Sequence, residues 1–148
     1  MASELDYPAK GKVISVNGDT VVFVPPGTSY EMQLKVAGGT YDGAIDKPVE
    51  AIVRLIARKV MTVPSGGNFV VPIFGPPRIV QGRVRYLSAD VLVVHAGTNF
   101  VVQLPVSDSA FDLSSGPIAM GSMVNATVLP GATLEVVTRV ETKVAVGK

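Results

Sequence analysis

An internal repeat constrains the fold of this chain more than any other feature of its sequence. The octet at 27–34, Gly-Thr-Ser-Tyr-Glu-Met-Gln-Leu, returns 70 residues later at 97–104 as Gly-Thr-Asn-Phe-Val-Val-Gln-Leu. Matching apolar segments precede the two copies, at 11–24 and 82–94. A pattern that recurs within one chain indicates one supersecondary unit formed twice. We therefore expect two similar halves.

The segments around each octet carry the signals of short β-strands. Two β-prone runs flank Asn17-Gly18, a dipeptide that favours a tight hairpin because both central residues of the turn need positive φ. The second repeat has Ser88-Ala89-Asp90 at this place and is predicted to keep the hairpin with a different turn. Alternation in the octet strand predicts that these side chains face inward in the two copies: Tyr30, Met32, Leu34 and Val36, then Phe100, Val102, Leu104 and Val106.

The segment 49–63 fits two structures. As a helix it has an apolar stripe and charged residues spaced i, i+4. As a strand it is long, rich in β-branched residues and bounded by Pro48 and Pro64. The corresponding segment of the second repeat, 122–129, has no helical stripe. We therefore favour a bent or bulged strand pair.

These signals predict an all-β protein of two tandem, internally repeated small β-barrels, OB-like or SH3-like, with about five strands each. We expect a flexible N-terminal arm at 1–10, the first barrel at 11–77, the second at 78–141 and a frayed C-terminus at 142–148. The connection Gly75-Pro76-Pro77 is short and stiffened by its prolines, so the two units are expected to pack rigidly together. The topology stays open between OB, SH3-like and sandwich forms.

The residue inventory argues against several classes of function. The chain has no cysteine, which removes disulfides, thiol catalysis and cysteine-based zinc sites. His95 is the single histidine; it follows an apolar run where the first repeat has Pro25, and we interpret it as a loop residue. No nucleophile elbow, Walker loop, dinucleotide fingerprint or paired-carboxylate motif is present. We expect no enzyme activity, no metal and no cofactor.

The hydropathy of the chain predicts that it has more apolar surface than one small domain buries. Charged residues are 17% of the chain, against about 25% in ordinary soluble domains. No apolar run is long enough for a membrane helix, and the acidic segment Met1–Asp6 lacks the apolar core of a signal peptide. We expect no membrane partner and a cytoplasmic location. The surplus apolar surface is expected to be buried between the repeats or in a homo-oligomer.

Positive charge is concentrated in one part of the chain. Residues 51–89 contain six Lys or Arg residues and no Asp or Glu. Alternation places Lys12, Arg83 and Arg85 on the outer face of the first strand of each repeat. Such a surface can follow a phosphate backbone, with Tyr86, Phe69 or Phe74 as a face for base stacking. The alternative is that these side chains are solvated and paired with acidic residues.

Two hypotheses about the function therefore remain open. We expect a non-catalytic binding module made of two fused OB-like barrels, with single-stranded nucleic acid or another protein as the partner. The alternative is a structural or assembly protein that forms a homo-oligomer. Gln33 and Gln103, which face outward in both octets, either contact a ligand or make cross-strand contacts. The candidate ligand-binding residues are Lys12, Arg54, Arg58, Arg83, Arg85, Tyr86, Gln33 and Gln103.

Overall fold

The computed structural model describes residues 3–137, so the C-terminus expected to fray at 142–148 lies outside the described residues. The regular structure consists of short 3-10 helices and β-strands, which confirms the all-β class. The 3-10 helices are Glu4–Asp6 and Asp108–Ala110. The strands are β1 (Ala9–Asn17), β2 (Thr20–Val24), β3 (Glu31–Val36), β4 (Pro48–Thr62), β5 (Phe69–Val71), β6 (Phe74–Gly75), β7 (Ile79–Leu87), β8 (Val91–His95), β9 (Asn99–Gln103), β10 (Phe111–Asp112), β11 (Met123–Val128) and β12 (Thr133–Val136). None of the helices within 3–137 has the length and hydropathy needed to cross a membrane.

The strands join one mixed sheet of 12 strands, in the order β1-β2-β3-β12-β4-β11-β7-β8-β9. The short strands β10, β5 and β6 pair with β4, β7 and β3. Additional β1–β4 and β4–β9 pairings close two cycles of five strands that share β4, namely β1-β2-β3-β12-β4 and β4-β11-β7-β8-β9. Each cycle thus contains a strand from the other repeat. The finer expectation of two OB-like or SH3-like barrels stays a prediction.

Both predicted hairpins are confirmed. β1 and β2 meet at Asn17-Gly18, where Gly18 has a φ of 65°, a value that favours glycine. β7 and β8 pair up to Leu87 and Leu92, and the Ser88 amide donates to the Val91 carbonyl at 3.0 Å. The register of each hairpin shifts by one residue, between Val13 and Ser15 and between Val84 and Tyr86. The extra residue of each bulge is therefore Ile14 in the first repeat and Arg85 in the second.

The predicted strand at 49–63 is confirmed, since β4 extends over 15 residues from Pro48 to Thr62. A register shift opposite β11 bulges this strand, because Lys59 pairs with Thr127 and Ala57 pairs with Val128. Arg58 is left outside the ladder at the bulge. Residues 51–53 are buried without alternation, since β4 is shared by both cycles and is covered on both faces. Burial on both faces accounts for the consecutive apolar residues at 51–53.

The hydrophobic core is continuous across the repeats. One cluster combines side chains from both halves, including Phe23, Met32, Leu92, Phe100 and Leu134. A smaller cluster, Ile52, Val93 and Val101, lies against Tyr7 and Tyr86. The N-terminal segment thus covers part of the sheet, and β1 begins at Ala9, two residues before the expected start at Gly11.

Within the strands, the side chains predicted to face inward are buried, but β9 is buried without alternation because Val101 packs into the second cluster. Met32 and Leu34 of β3 and Phe100 and Val102 of β9 are buried. The prediction for Val106 is wrong, because this side chain is fully exposed. β9 ends at Gln103, and Pro105 follows shortly after, so the period of two does not extend to Val106.

Candidate functional site

A cleft rich in positive charge lies where the N-terminal part of β1 meets the β8–β9 turn. We call it the basic cleft and define it by its polar side chains, Lys10, Arg85, His95, Thr98 and Asn99. Its volume is about 290 Å³, and Pro8, Pro26 and Gly97 complete its lining. Lys10 lies in β1 and Pro26 in the first repeat, whereas Arg85, His95, Thr98 and Asn99 belong to the second repeat. The cleft therefore needs both halves of the chain.

The β8–β9 turn holds the polar side chains in place. His95 ends β8, Asn99 begins β9 and the two residues are paired across the hairpin. Gly97 has a φ of 81°, which favours glycine. A Cβ on Gly97 would also lie 3.3 Å from the Thr28 methyl carbon, so the first octet packs directly against the second. This contact joins the start of the two octets at the cleft.

A chain of hydrogen bonds fixes the orientation of the His95 ring. The Asn99 amide nitrogen donates to the Pro8 carbonyl at 3.4 Å. That bond leaves the Asn99 Oδ1 as the acceptor facing His95 Nδ1, at 2.9 Å. A proton on Nδ1 would complete this hydrogen bond, since the Asn99 Oδ1 can only accept. Asn99 thus holds the His95 ring, and the Pro8 carbonyl holds Asn99.

Thr98 ties the first strand of the chain to this turn. Its hydroxyl accepts from the Lys10 amide at 3.0 Å and donates to the Lys10 carbonyl at 3.3 Å. Thr98 is itself buried, with 4% of its surface exposed. The backbone of Lys10 is thus fixed beside the turn, while its side chain is exposed.

The first repeat shows that the fold does not require charge at these positions. In the two hairpins Arg83 pairs with His95 and Lys12 pairs with Val24, so the structural equivalent of His95 is Val24. The expected equivalence with Pro25 is off by one residue. The equivalent of Arg85 is Ile14, since both are the extra residue of a bulge. The same backbone forms with Ile14 and Val24 in the first repeat. The fold therefore does not require Arg85 and His95, which makes them candidates for binding a ligand.

The predicted outer-face residues are exposed as expected, and one of them, Arg85, lines the cleft. Lys12, Arg83 and Arg85 all have exposed side chains. Arg85 lines the cleft, and Lys12 lies two residues beyond Lys10 on the same face of β1. Arg83 lies opposite His95, and its guanidinium donates to the Gly121 carbonyl at 3.0 Å. Lys12 and Arg83 thus lie outside the lining of the cleft, on strands that contribute to it.

Arg54 and the two glutamines lie elsewhere. Arg54 and Gln103 line a cavity of about 170 Å³. Gln33 lines a separate cavity of about 280 Å³. Gly131 contributes to both cavities, so the equivalent glutamines approach the same turn from the two repeats without sharing a site.

Arg58 and Tyr86 are also outside the cleft. Arg58 lines a third cavity, of about 620 Å³, together with Arg78, Val71 and residues of the 76–79 and 127–130 segments; we call it the arginine groove. Tyr86 packs its ring against Tyr7, with the ring centroids 5.6 Å apart. Part of the face expected to stack on a base is thus occupied by the N-terminal segment.

Lys10, His95, Thr98 and Asn99 were not among the candidates from the sequence. Lys10 is separated from Thr98 by 88 positions, and no local pattern connects them. A comparison of the two hairpins gives the one usable signal, namely Arg and His where the first repeat has Ile and Val. That comparison needs the hairpin register, which the structure supplies.

Two ionisable groups among residues 3–137 have clearly shifted pKa values, and neither lines the basic cleft. The Ser114 hydroxyl and amide donate to Asp112, which lowers the pKa of this exposed carboxyl, with a smaller contribution from Lys59. Burial and the nearby Asp42 carboxylate raise the pKa of Tyr41. The first shift follows from a local turn and the second from burial and a neighbouring charge, so neither marks a reacting group.

Within residues 3–137, no group of three or more His, Cys, Asp or Glu side chains is arranged to hold a metal ion. Comparison with family models, with curated proteins and with solved structures found no match. The chemistry of the basic cleft is thus the main guide to function.

Proposed function

We propose that this protein is a non-catalytic binding module that holds single-stranded nucleic acid at the basic cleft. The observation that carries the proposal is the convergence of two cationic side chains, Lys10 and Arg85, with His95 on one cavity; Arg85 and His95 stand where the first repeat has Ile14 and Val24. Cations attract phosphate, and they supply most of the affinity in sequence-independent binding. Thr98 and Asn99 add hydrogen-bonding groups to the same cavity.

The dimensions and surroundings of the cleft favour an extended ligand. A volume of about 290 Å³ lies at the lower end of the range for ligand pockets, enough for one small polar group such as a nucleotide unit. Lys12 lies two residues beyond Lys10 on β1 and Arg83 is paired with His95, so in this proposal a chain with repeated phosphates can contact these cations as well. Glu50 lies opposite Lys10 in the β1–β4 pair and weakens the potential on that side. Arg85 is therefore the stronger anchor.

In this proposal each five-strand cycle is a small barrel of the OB-like or SH3-like kind, and the two barrels are fused through β4. The pairing pattern supports this description, since each cycle returns to its first strand. Barrels of this size commonly present one face and its adjoining loops to oligonucleotides. Fold alone does not define function, so the cleft residues carry the proposal.

A double variant tests the cleft directly. Lys10→Ala with Arg85→Ala is expected to weaken binding of a fluorescein-labelled oligodeoxythymidylate of about 12 nucleotides roughly tenfold to thirtyfold near 0.1 M salt. Two lost phosphate contacts on a single strand should also reduce the slope of log K against log salt by roughly 1.4. Fluorescence anisotropy over a salt series measures both quantities.

The matched control is Arg58→Ala with Arg78→Ala, which removes the same charge from the arginine groove. It is expected to leave the slope and the affinity close to those of the unmodified protein. If the unmodified protein does not bind the oligonucleotide even at low salt, the nucleic-acid proposal is wrong. If both double variants lose affinity equally, binding depends on total charge and the cleft has no special role.

A further inference from the structure

The arginine groove is larger than the basic cleft, and the proposed function leaves its chemistry unused. Its volume of about 620 Å³ falls within the range of ligand-binding pockets. The bulge of β4 places Arg58 at one side, and the connection between the repeats places Pro76, Pro77 and Arg78 at another. Leu129 and Pro130, which follow β11, complete the wall.

The walls of the groove are fixed before any partner arrives. The Arg78 amide donates to the Val71 carbonyl at 2.8 Å, and the Val128 amide donates to the Arg78 carbonyl at 2.9 Å. The Leu129 amide donates to the Ile56 carbonyl at 2.8 Å. Prolines at 76, 77 and 130 restrict the backbone further. A surface held in this way loses little conformational entropy on binding, which favours affinity.

The exposed surface at the groove is apolar, with positive charge at its edge. Val71 is 41% exposed and Leu129 is 38% exposed. Exposed apolar side chains grouped in this way mark interaction surfaces. A partner that covers them must itself be apolar in part.

The two arginines define the charge of that partner. Arg58 and Arg78 are exposed, and among residues 3–137 no acidic side chain lies within ion-pair distance of either. The lining of the groove contains no Asp or Glu. A symmetric dimer formed across the groove would place four arginines in one interface to which the groove lining brings no carboxylate, and an excess of like charge opposes such an interface. The occupant must therefore bring negative charge.

We infer that the arginine groove is a docking site for an acidic peptide segment of a partner protein, with apolar side chains that cover Val71 and Leu129. Carboxylates of the peptide pair with Arg58 and Arg78, and its apolar side chains lie on the proline-lined wall. The inference is independent of the nucleic-acid proposal, since the two sites share no lining residue.

Selection from a random peptide library tests this inference on the whole protein. Phage-displayed peptides of about 12 residues are selected on immobilised protein, and the enriched sequences are synthesised with a fluorescent label. We expect peptides that combine Asp or Glu with Leu, Ile or Phe. Their binding is expected to weaken at least about tenfold in Arg58→Ala with Arg78→Ala, because each lost arginine leaves a carboxylate unpaired.

Two further variants separate docking from other effects. Leu129→Ala is expected to weaken the same peptides severalfold, while Lys10→Ala with Arg85→Ala leaves them unchanged; circular dichroism melting establishes that each variant is folded. The inference is overturned if no peptide is enriched, if the enriched peptides lack acidic residues, or if they bind the arginine variant equally well. It is also overturned if sedimentation shows a dimer that the arginine variant dissociates, or if that variant loses the oligonucleotide instead.

Discussion

Residues 1–77 and residues 78–148, produced as separate chains, are each expected to stay unfolded and to regain structure when mixed. The pairing of strands gives the reason. The cycle of the first repeat closes only through β12, which pairs with β3 and β4. The cycle of the second repeat closes only through β4, which pairs with β9 and β11. Each fragment therefore lacks the strand that pairs with both of its edge strands.

Each fragment loses buried apolar contacts that a core of this size needs in order to stay folded. A unit of about 70 residues is close to the lower limit of independent stability even when its core is complete. Leu134, which is fully buried beside Val53 and Val36, is missing from the first fragment. Open strand edges also favour aggregation. Far-UV circular dichroism and size-exclusion chromatography of each fragment, and of the equimolar mixture after refolding, measure the outcome.

A point variant provides the control for the fragment experiment. Leu134→Ala in the full chain is expected to reduce the free energy of unfolding by about 2–5 kcal/mol, the usual cost for a fully buried leucine. Denaturant unfolding followed by circular dichroism measures this loss. A sharp thermal transition in either separate fragment would show that the repeat folds by itself and that the exchanged strand is dispensable.

Local features of the fold could be predicted from the sequence because their signals lie within a few residues. Asn17-Gly18 specifies a hairpin through the φ that Gly18 adopts. The inward face of β3 follows from alternation at Met32 and Leu34. Comparison of the two repeats decided between helix and strand for β4, where the pattern within the segment was ambiguous.

The exchange of strands between the repeats could not be predicted, because the residues of a strand do not show which distant strand it pairs with. Leu134 has the same apolar character whether it pairs with its own repeat or with β3 of the other. The basic cleft was missed for the same reason, since Lys10 and His95 come together only through the contact between β1 and the β8–β9 turn. The error at Val106 has another origin. The alternation of apolar and polar residues continues in the sequence to Val106, but the strand ends at Gln103.

Gly82→Ala is expected to be among the most damaging single substitutions in the chain. A Cβ at residue 82 would lie 2.0 Å from the His95 carbonyl oxygen and 2.7 Å from its carbon. Both are backbone atoms, so no side-chain rotation relieves the contact and β7 must separate from β8. We expect a loss of at least about 3 kcal/mol in the free energy of unfolding, above the usual cost of overpacking. For a chain of this length the melting temperature should fall by roughly 10 °C.

Gly11 tests whether the two repeats share this constraint. Its Cβ would lie 2.6 Å from the Val24 carbonyl oxygen and 2.6 Å from the Phe23 ring, and Val24 is the equivalent of His95. Gly11→Ala should therefore destabilise the protein by a similar amount, while Gly67→Ala, where nothing lies within 4 Å, should change stability by no more than about 0.5 kcal/mol. Thermal and denaturant unfolding of the three variants decide the matter. Equal stability of the Gly82 and Gly67 variants would mean that the close approach of β7 and β8, which sets the position of His95 in the basic cleft, is not a constraint of the fold.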